Sequence, residues 1–193
     1  MNYELFQLIN RWSDHFTLLD EAMIGLTYSV PYAALFIFIA VWFKSRSIKN
    51  KYTALYAAFS SVLGLITNAI LHHVYYHPRP FIGHHVHQLI PHTADSSFVS
   101  DHSVLVFALA FTLMLRRDSF RYIVLVWAIA VGISRVYTGV HYPADVIGSA
   151  IISFGTSILV IRHGHILEPI MRVIFNMYTR LTAFFTVLVK NEK

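Results

Sequence analysis

His141 and Asp145 lie four residues apart, with Pro143 between them. Proline suits the first turn of a helix, and side chains at i, i+4 share one helix face. A carboxylate so placed can accept from one ring nitrogen of the histidine and leave the other as a nucleophile. Alone, the pair reads equally well as a helix-capping ion pair without chemistry. Ser100-Asp101-His102-Ser103 heads an apolar run. Serine is a favoured N-cap, and the free N–H groups of a helix start make an anion site. His102 can give or take a proton beside it. Alone, this segment is more often an ordinary cap carrying an exposed histidine. Arg79 and Arg135 are forked, permanent charges suited to phosphate oxygens, although an isolated arginine at a helix end more commonly snorkels to lipid headgroups. What favours chemistry is that these groups fall on one side of the predicted topology, a combination that fits phosphoryl transfer through a phosphohistidine.

The elements that must carry them are membrane helices. Of 193 residues, 56% are hydrophobic and 13% charged, against about 25% charged in a soluble domain. A water-facing surface would need more charge than that, so a soluble globular enzyme is excluded. The absence of cysteine excludes disulfides, thiolate metal sites and cysteine nucleophiles. Uncharged runs at Ala22–Phe43 and Tyr52–Tyr76 exceed the roughly 20 residues that cross a bilayer. Shorter runs follow at His102–Leu115, Tyr122–Ser134 and Val146–Ile161, and a sixth, Val173–Val189, is interrupted by Arg180 and could lie on the membrane surface. Residues 1–20 mix Leu5, Leu8, Ile9, Trp12 and Phe16 with Glu4, Arg11 and Asp14, the pattern of an amphipathic interfacial helix; without a cationic start it is not expected to be a cleaved signal peptide. The fold expected is an all-α integral membrane protein, a bundle of five to six transmembrane helices with an amphipathic N-terminal helix, forming one membrane-embedded domain over 1–193.

Orientation follows from the basic residues. Lys44, Arg46, Lys49, Lys51, Arg116, Arg117, Arg121 and Arg162 fall on one side, and only Arg79 and Arg135 on the other after the N-terminal region. By the positive-inside rule the segments 77–100 and 135–145 face outward. The net charge of +5 therefore reflects topology, and no nucleic-acid partner is expected. Segment 77–101 is long for a connection and carries five histidines, three serines and two aspartates among apolar residues, so it is expected to pack onto the helix ends.

Arg79-Pro80, Ser100-Asp101-His102 and Ser134-Arg135-x5-His141-x3-Asp145 together resemble the three-part signature of the type-2 phosphatidic acid phosphatase superfamily. The stretches His-Pro-Arg-Pro-Phe (77–81) and Ile-Pro-His-Thr-Ala-Asp-Ser-Ser-Phe (90–98) resemble its bacitracin-resistance branch, bacterial undecaprenyl pyrophosphate phosphatases. Two positions depart from the pattern: His72 stands where the first motif has a lysine, and Val99 where the second has a proline. The resemblance implies that His141 attacks phosphorus, Asp145 orients it, and His102 protonates the leaving oxygen and then activates water. It implies that Arg79, Arg135, Ser100 and the helix start at Asp101 hold the phosphoryl oxygens, with His72 contributing. It further implies a polyprenyl diphosphate substrate, no cofactor or metal, and a multi-pass protein of the bacterial plasma membrane with its site facing outside. A polyprenyl chain stays in the bilayer at about 0.8 kcal/mol per buried CH₂, so the site should open sideways near Tyr75, Tyr76, Phe81, Tyr137 and Tyr142, residues that equally suit an aromatic interface belt. The other readings are a phosphatase of phosphatidate or phosphatidylglycerol phosphate on the same scaffold, and a lipid-phosphate binding or transport protein. Seven of the twelve histidines lie between His72 and His92, but no HExxH pattern or dense carboxylate set accompanies them as a metal site would require.

Overall fold

The structure, a computed structural model, describes residues 1–44 and 47–191, with side chains described to residue 183; Arg46 lies outside the described residues. The described elements are helices: α1 (Asn2–Asn10), α2 (Thr17–Tyr28), α3 (Val30–Phe43), α4 (Ile48–Val74), the short α5 (Pro80–Gly83), α6 (Asp101–Leu115), α7 (Arg121–Tyr137), α8 (Pro143–Arg162) and α9 (Gly164–Asn191). The apolar run at 173–189 falls within α9, and its side chains beyond 183 lie outside the described residues.

α6 is the axis of the bundle, packed on by α4, α7 and α8, with α3 outside α4 and α2 outside α7. By length and apolarity α4 and α8 qualify as spans among the described residues, and α2 with α3 counts as a third. α6 and α7, at 15 and 17 residues, are shorter than the roughly 20 that cross a bilayer alone. Among the described residues two to three helices thus reach the length and apolarity of a span unaided; α6 is enclosed by protein, so its length need not match lipid thickness.

Two expected elements are broken. The run at 22–43 is two helices bent by 56°. Pro31 enters at the second position of α3, where it lacks the N–H that would continue α2 and its ring crowds the preceding turn. The Ser29 hydroxyl, at the bend, donates to Leu26 O at 2.8 Å. The helix expected over 1–20 stops at Asn10, and Asp14 takes a left-handed conformation (φ 66°) before α2 begins.

Polar residues lock α6 against α8. The hydroxyls of Ser149, Ser153 and Ser157 donate to the carbonyls of Ser100 (3.2 Å), Val104 (2.9 Å) and Ala108 (3.2 Å), and Thr112 donates to Ser157 Oγ at 3.1 Å. Each serine meets a carbonyl 49 residues earlier. That constant offset means the two helices run parallel in one register, bringing their N-termini to the same end. Small side chains also let the backbones close in: a Cβ on Gly64 of α4 would stand 2.8 Å from Val104 Cγ1.

The basic residues cluster at the opposite end. Lys44 pairs with Asp118, and Arg116 lies over the Tyr56 ring at 4.8 Å. Lys51 is buried, its Nζ 4.6 Å from the centre of the Tyr178 ring of α9.

If the ladder sets the register, Ser153→Ala should cost about 0.6 kcal/mol, the typical worth of one interhelical hydrogen bond in a membrane protein. Ser153→Leu should cost about 1–3 kcal/mol by overpacking. Thermal unfolding in detergent measures both, and equal midpoints for the two variants would contradict close packing at this seam.

Candidate active site

The long segment 77–100 lies clamped between α1 and the helix ends. Ser97 N–H donates to His77 O at 2.7 Å and the Ser96 hydroxyl to Tyr75 O at 3.1 Å. Asn68, buried in α4, accepts from Val99 N–H (3.1 Å) and donates to Val99 O (3.0 Å) and to the Asp101 carboxylate (2.6 Å). On the other flank Asn10 of α1 donates to His87 O (2.8 Å) and Tyr137 O (2.9 Å) and accepts from His87 N–H (3.1 Å). Gly139 has φ +82°, and a Cβ there would stand 2.5 Å from His87 O. Only glycine lets the α7–α8 turn approach the segment so closely.

These clamps place the segment against His141, which is 2% exposed. Its Nδ1 lies 2.9 Å from the carbonyl of Ser97. A carbonyl can only accept, so Nδ1 carries the proton and Nε2 the lone pair. Nε2 faces Arg79 Nη1 at 3.0 Å. Burial, followed by the charges of Arg135, Arg79 and His92, pushes the His141 pKa well below the ordinary imidazole value, which keeps the lone pair available.

Asp145 acts less directly than its spacing predicts. Its carboxylate oxygen is 3.5 Å from His141 Nδ1, but its hydrogen bonds go to the Ser97 hydroxyl and to Tyr142 N–H, the latter at 2.8 Å. The carboxylate therefore caps its own helix and grips Ser97, and the Ser97 carbonyl takes the ring proton. Ser97, with Asn68, His92 and Asp95, belongs to the site and was not singled out by spacing. For Ser97, His92 and Asp95 the signal was the unusual polarity of segment 77–100; Asn68, one amide inside the apolar run of α4, gave none.

Arg79 is buried. Its Nε donates to Asp95 Oδ1 at 2.7 Å and its Nη1 to Val140 O at 2.9 Å. Arg135 is 1% exposed, and its Nε and Nη2 are buried with no hydrogen-bond partner among the described residues. A guanidinium taken out of water without a counter-ion is costly unless an anion arrives to meet it. Half-buried His102 sits on the first turn of α6, within electrostatic reach of Arg135, Asp101, His92 and Arg79. Ser100 is fully buried and its Oγ accepts from Ser103 N–H at 3.4 Å, so it forms the expected N-cap. The Asp101 carboxylate is turned to Asn68, leaving its backbone as the part suited to an anion. His72 Nε2 lies 3.2 Å from Val99 O, so its ring braces the turn before α6. Among the described residues no three His, Asp or Glu side chains converge at metal-binding geometry.

Residues 53–166 match the PAP2 superfamily, and the stretch includes Arg79, His102, Arg135, His141 and Asp145. The chain belongs to the PAP2 superfamily. It is 34% identical over 178 residues to the undecaprenyl-diphosphatase BcrC of Bacillus subtilis, covering 92% of each chain. Among solved PAP2-type folds, LpxE of Aquifex aeolicus superposes with a TM-score of 0.71 at 28% identity, over 83% of this chain and 94% of that one. The phosphatidylglycerolphosphate phosphatase of Bacillus subtilis superposes with a TM-score of 0.63 at 22% identity, over 84% and 86%, a likeness of fold. The chain is thus an all-helical membrane phosphatase of the PAP2 superfamily.

An unpartnered buried guanidinium makes an unusual prediction. Arg135→Met should abolish phosphatase activity yet leave the empty protein at least as stable, by up to about 4 kcal/mol as for other replaced buried ions. Vanadate, a phosphoryl mimic, should raise the unfolding midpoint of the wild type and not of the variant. A marked loss of stability in Arg135→Met would instead assign the guanidinium a structural role.

Proposed function

We propose that this protein hydrolyses undecaprenyl diphosphate to undecaprenyl phosphate and phosphate, recycling the cell-wall lipid carrier and conferring bacitracin resistance. The whole chain is read as one membrane-embedded domain of the bacterial plasma membrane, with its site at the outer face. The observation that carries the reading is the presence at one site of a lone-pair nitrogen, His141 Nε2, and a buried guanidinium, Arg135, whose Nε and Nη2 meet no described residue. The identity to undecaprenyl-diphosphatase BcrC supports the choice of substrate. The clustering of Lys44, Lys49, Lys51, Arg116, Arg117, Arg121 and Arg162 at the end away from the site supports the orientation.

The terminal phosphoryl group displaces Arg79 Nη1 from its position on Nε2 and takes up the free donors of Arg135 and the α6 start. Nε2 forms a bond to phosphorus as the bond to the bridging oxygen breaks, and undecaprenyl phosphate leaves. The charge that develops on the imidazole ring is met by the Ser97 carbonyl on Nδ1–H, with the Asp145 carboxylate behind it. His102 donates a proton to the leaving oxygen and recovers one from the water that attacks phosphohistidine, releasing phosphate and neutral His141. A phosphate leaving group is a weaker base than an alkoxide, so the roughly 10²–10⁴ that general-acid help can supply should not be fully needed here. The polyprenyl chain remains among the helices and lipid, near exposed Tyr75 and Tyr76.

Purified protein in detergent should release phosphate from undecaprenyl diphosphate equally with and without EDTA, and His141→Ala should release none. Loss of activity in EDTA would overturn metal-independent attack. Activity confined to phosphatidate or phosphatidylglycerol phosphate would overturn the substrate.

A further inference from the structure

Above the nucleophile stands a histidine to which the reaction just described gives no role. The His92 ring is 6.0 Å from that of His141, edge-on at 81°. Its Nδ1 turns back to its own segment, 3.3 Å from Thr93 O and 4.0 Å from Asp95 Oδ1. Nε2, on the far side of the ring, has no partner among the described residues, and the side chain is 22% exposed. The position is held firmly. Asp95 Oδ1 accepts from Arg79 Nε at 2.7 Å, and its Oδ2 accepts from the Thr93 hydroxyl at 2.9 Å. Segment 92–95 is thus braced on the arginine that touches the nucleophile, which sets the imidazole at a constant distance from the phosphoryl position.

We infer that His92 contacts the second phosphate of a diphosphate substrate and is the residue that favours lipid diphosphates over lipid monophosphates. This rests on the diphosphatase reading above. The argument is a count of donors. A transferring phosphoryl group has three peripheral oxygens, and Arg135 Nε and Nη2, Arg79 and the first-turn N–H groups of α6 suffice for them. A diphosphate brings two further anionic oxygens one position farther out. His102 is committed to the bridging oxygen, and His72 faces Val99 O. His77 also has a ring nitrogen without a described partner but lies beside Tyr142 and Asp145, whereas His92 stands over the His141 ring with Nε2 unengaged by any described residue.

The charge state of the ring follows the ligand. In the empty site burial, then Arg79 and Arg135, hold the His92 pKa below the ordinary imidazole value, against the opposing pull of Thr93 O and Asp95. An arriving diphosphate neutralises both arginines and adds negative charge, which reverses the shift and favours the cation. Protonated His92 donates through Nδ1 to its own segment and through Nε2 to the second phosphate, as a charge-assisted hydrogen bond. A monophosphate places only an ester oxygen and hydrocarbon there.

The test compares kcat/KM on farnesyl diphosphate and farnesyl phosphate for wild type, His92→Ala and His92→Lys. Loss of one charge-assisted bond should lower the diphosphate-to-monophosphate ratio about ten- to a hundredfold in His92→Ala. His92→Lys should restore much of it, which a purely structural role would not. An unchanged ratio in His92→Ala, whether activity falls on both substrates or on neither, overturns the assignment. A wild type active on the monophosphate alone overturns the substrate reading and this role with it, and the wild-type rates by themselves identify that case.

Discussion

The shortest contact of His141 Nδ1 is the carbonyl of Ser97 at 2.9 Å, and much of the molecule serves to keep that carbonyl in place. The bond settles the tautomer, leaves the lone pair on Nε2 and turns that lone pair toward Arg79. It joins residues 44 positions apart in sequence, so it exists only if segment 77–100 is pressed onto the start of α8. Asn68 holds one flank of the segment and Asn10 the other, while Ser97 ties its own hydroxyl to Asp145. Asp145 thereby serves two ends, capping its helix and holding the loop that holds His141.

The same logic explains the polarity of the bundle interior. A helix bundle in lipid gains little from hydrophobic burial between helices and relies on packing and interhelical hydrogen bonds. The serines of α8 reach the backbone of α6 at every fourth residue, which keeps the His102 end of α6 level with the His141 end of α8. Against this well-bonded frame the unpartnered nitrogens of Arg135 stand out. Buried donors of this kind are the chemistry that a phosphoryl anion would satisfy.

Much of the frame could be read from hydropathy. The uncharged runs at 102–115, 122–134 and 146–161 correspond to α6, α7 and α8 within a few residues, because a buried or lipid-facing helix must be apolar along its length. The bend at Ser29 was signalled by Pro31, but a proline early in an apolar run also permits an unbroken span. The break at Asn10 had no such signal, since it depends on the Asn10 side chain meeting the backbone of residues 87 and 137. As candidates, His102, Arg135, His141 and Asp145 were recognisable by type and spacing. Their wiring was not, because i, i+4 spacing predicts a direct His141–Asp145 bond and cannot foresee that Ser97 comes between them. The serine ladder was equally hidden, since serine within an apolar run reads as neutral until a partner helix is present.

The central claim is that Nε2 of His141, freed by the Ser97 carbonyl, becomes bonded to phosphorus. Denaturing the protein within milliseconds of mixing with terminally ³²P-labelled undecaprenyl diphosphate, at alkaline pH, would capture that bond. Mass spectrometry and ³¹P resonance then locate it. The account predicts label on His141, as the Nε2-phosphorylated isomer. Label on His102 or on Nδ1 of His141, or turnover with no labelled protein, would contradict it.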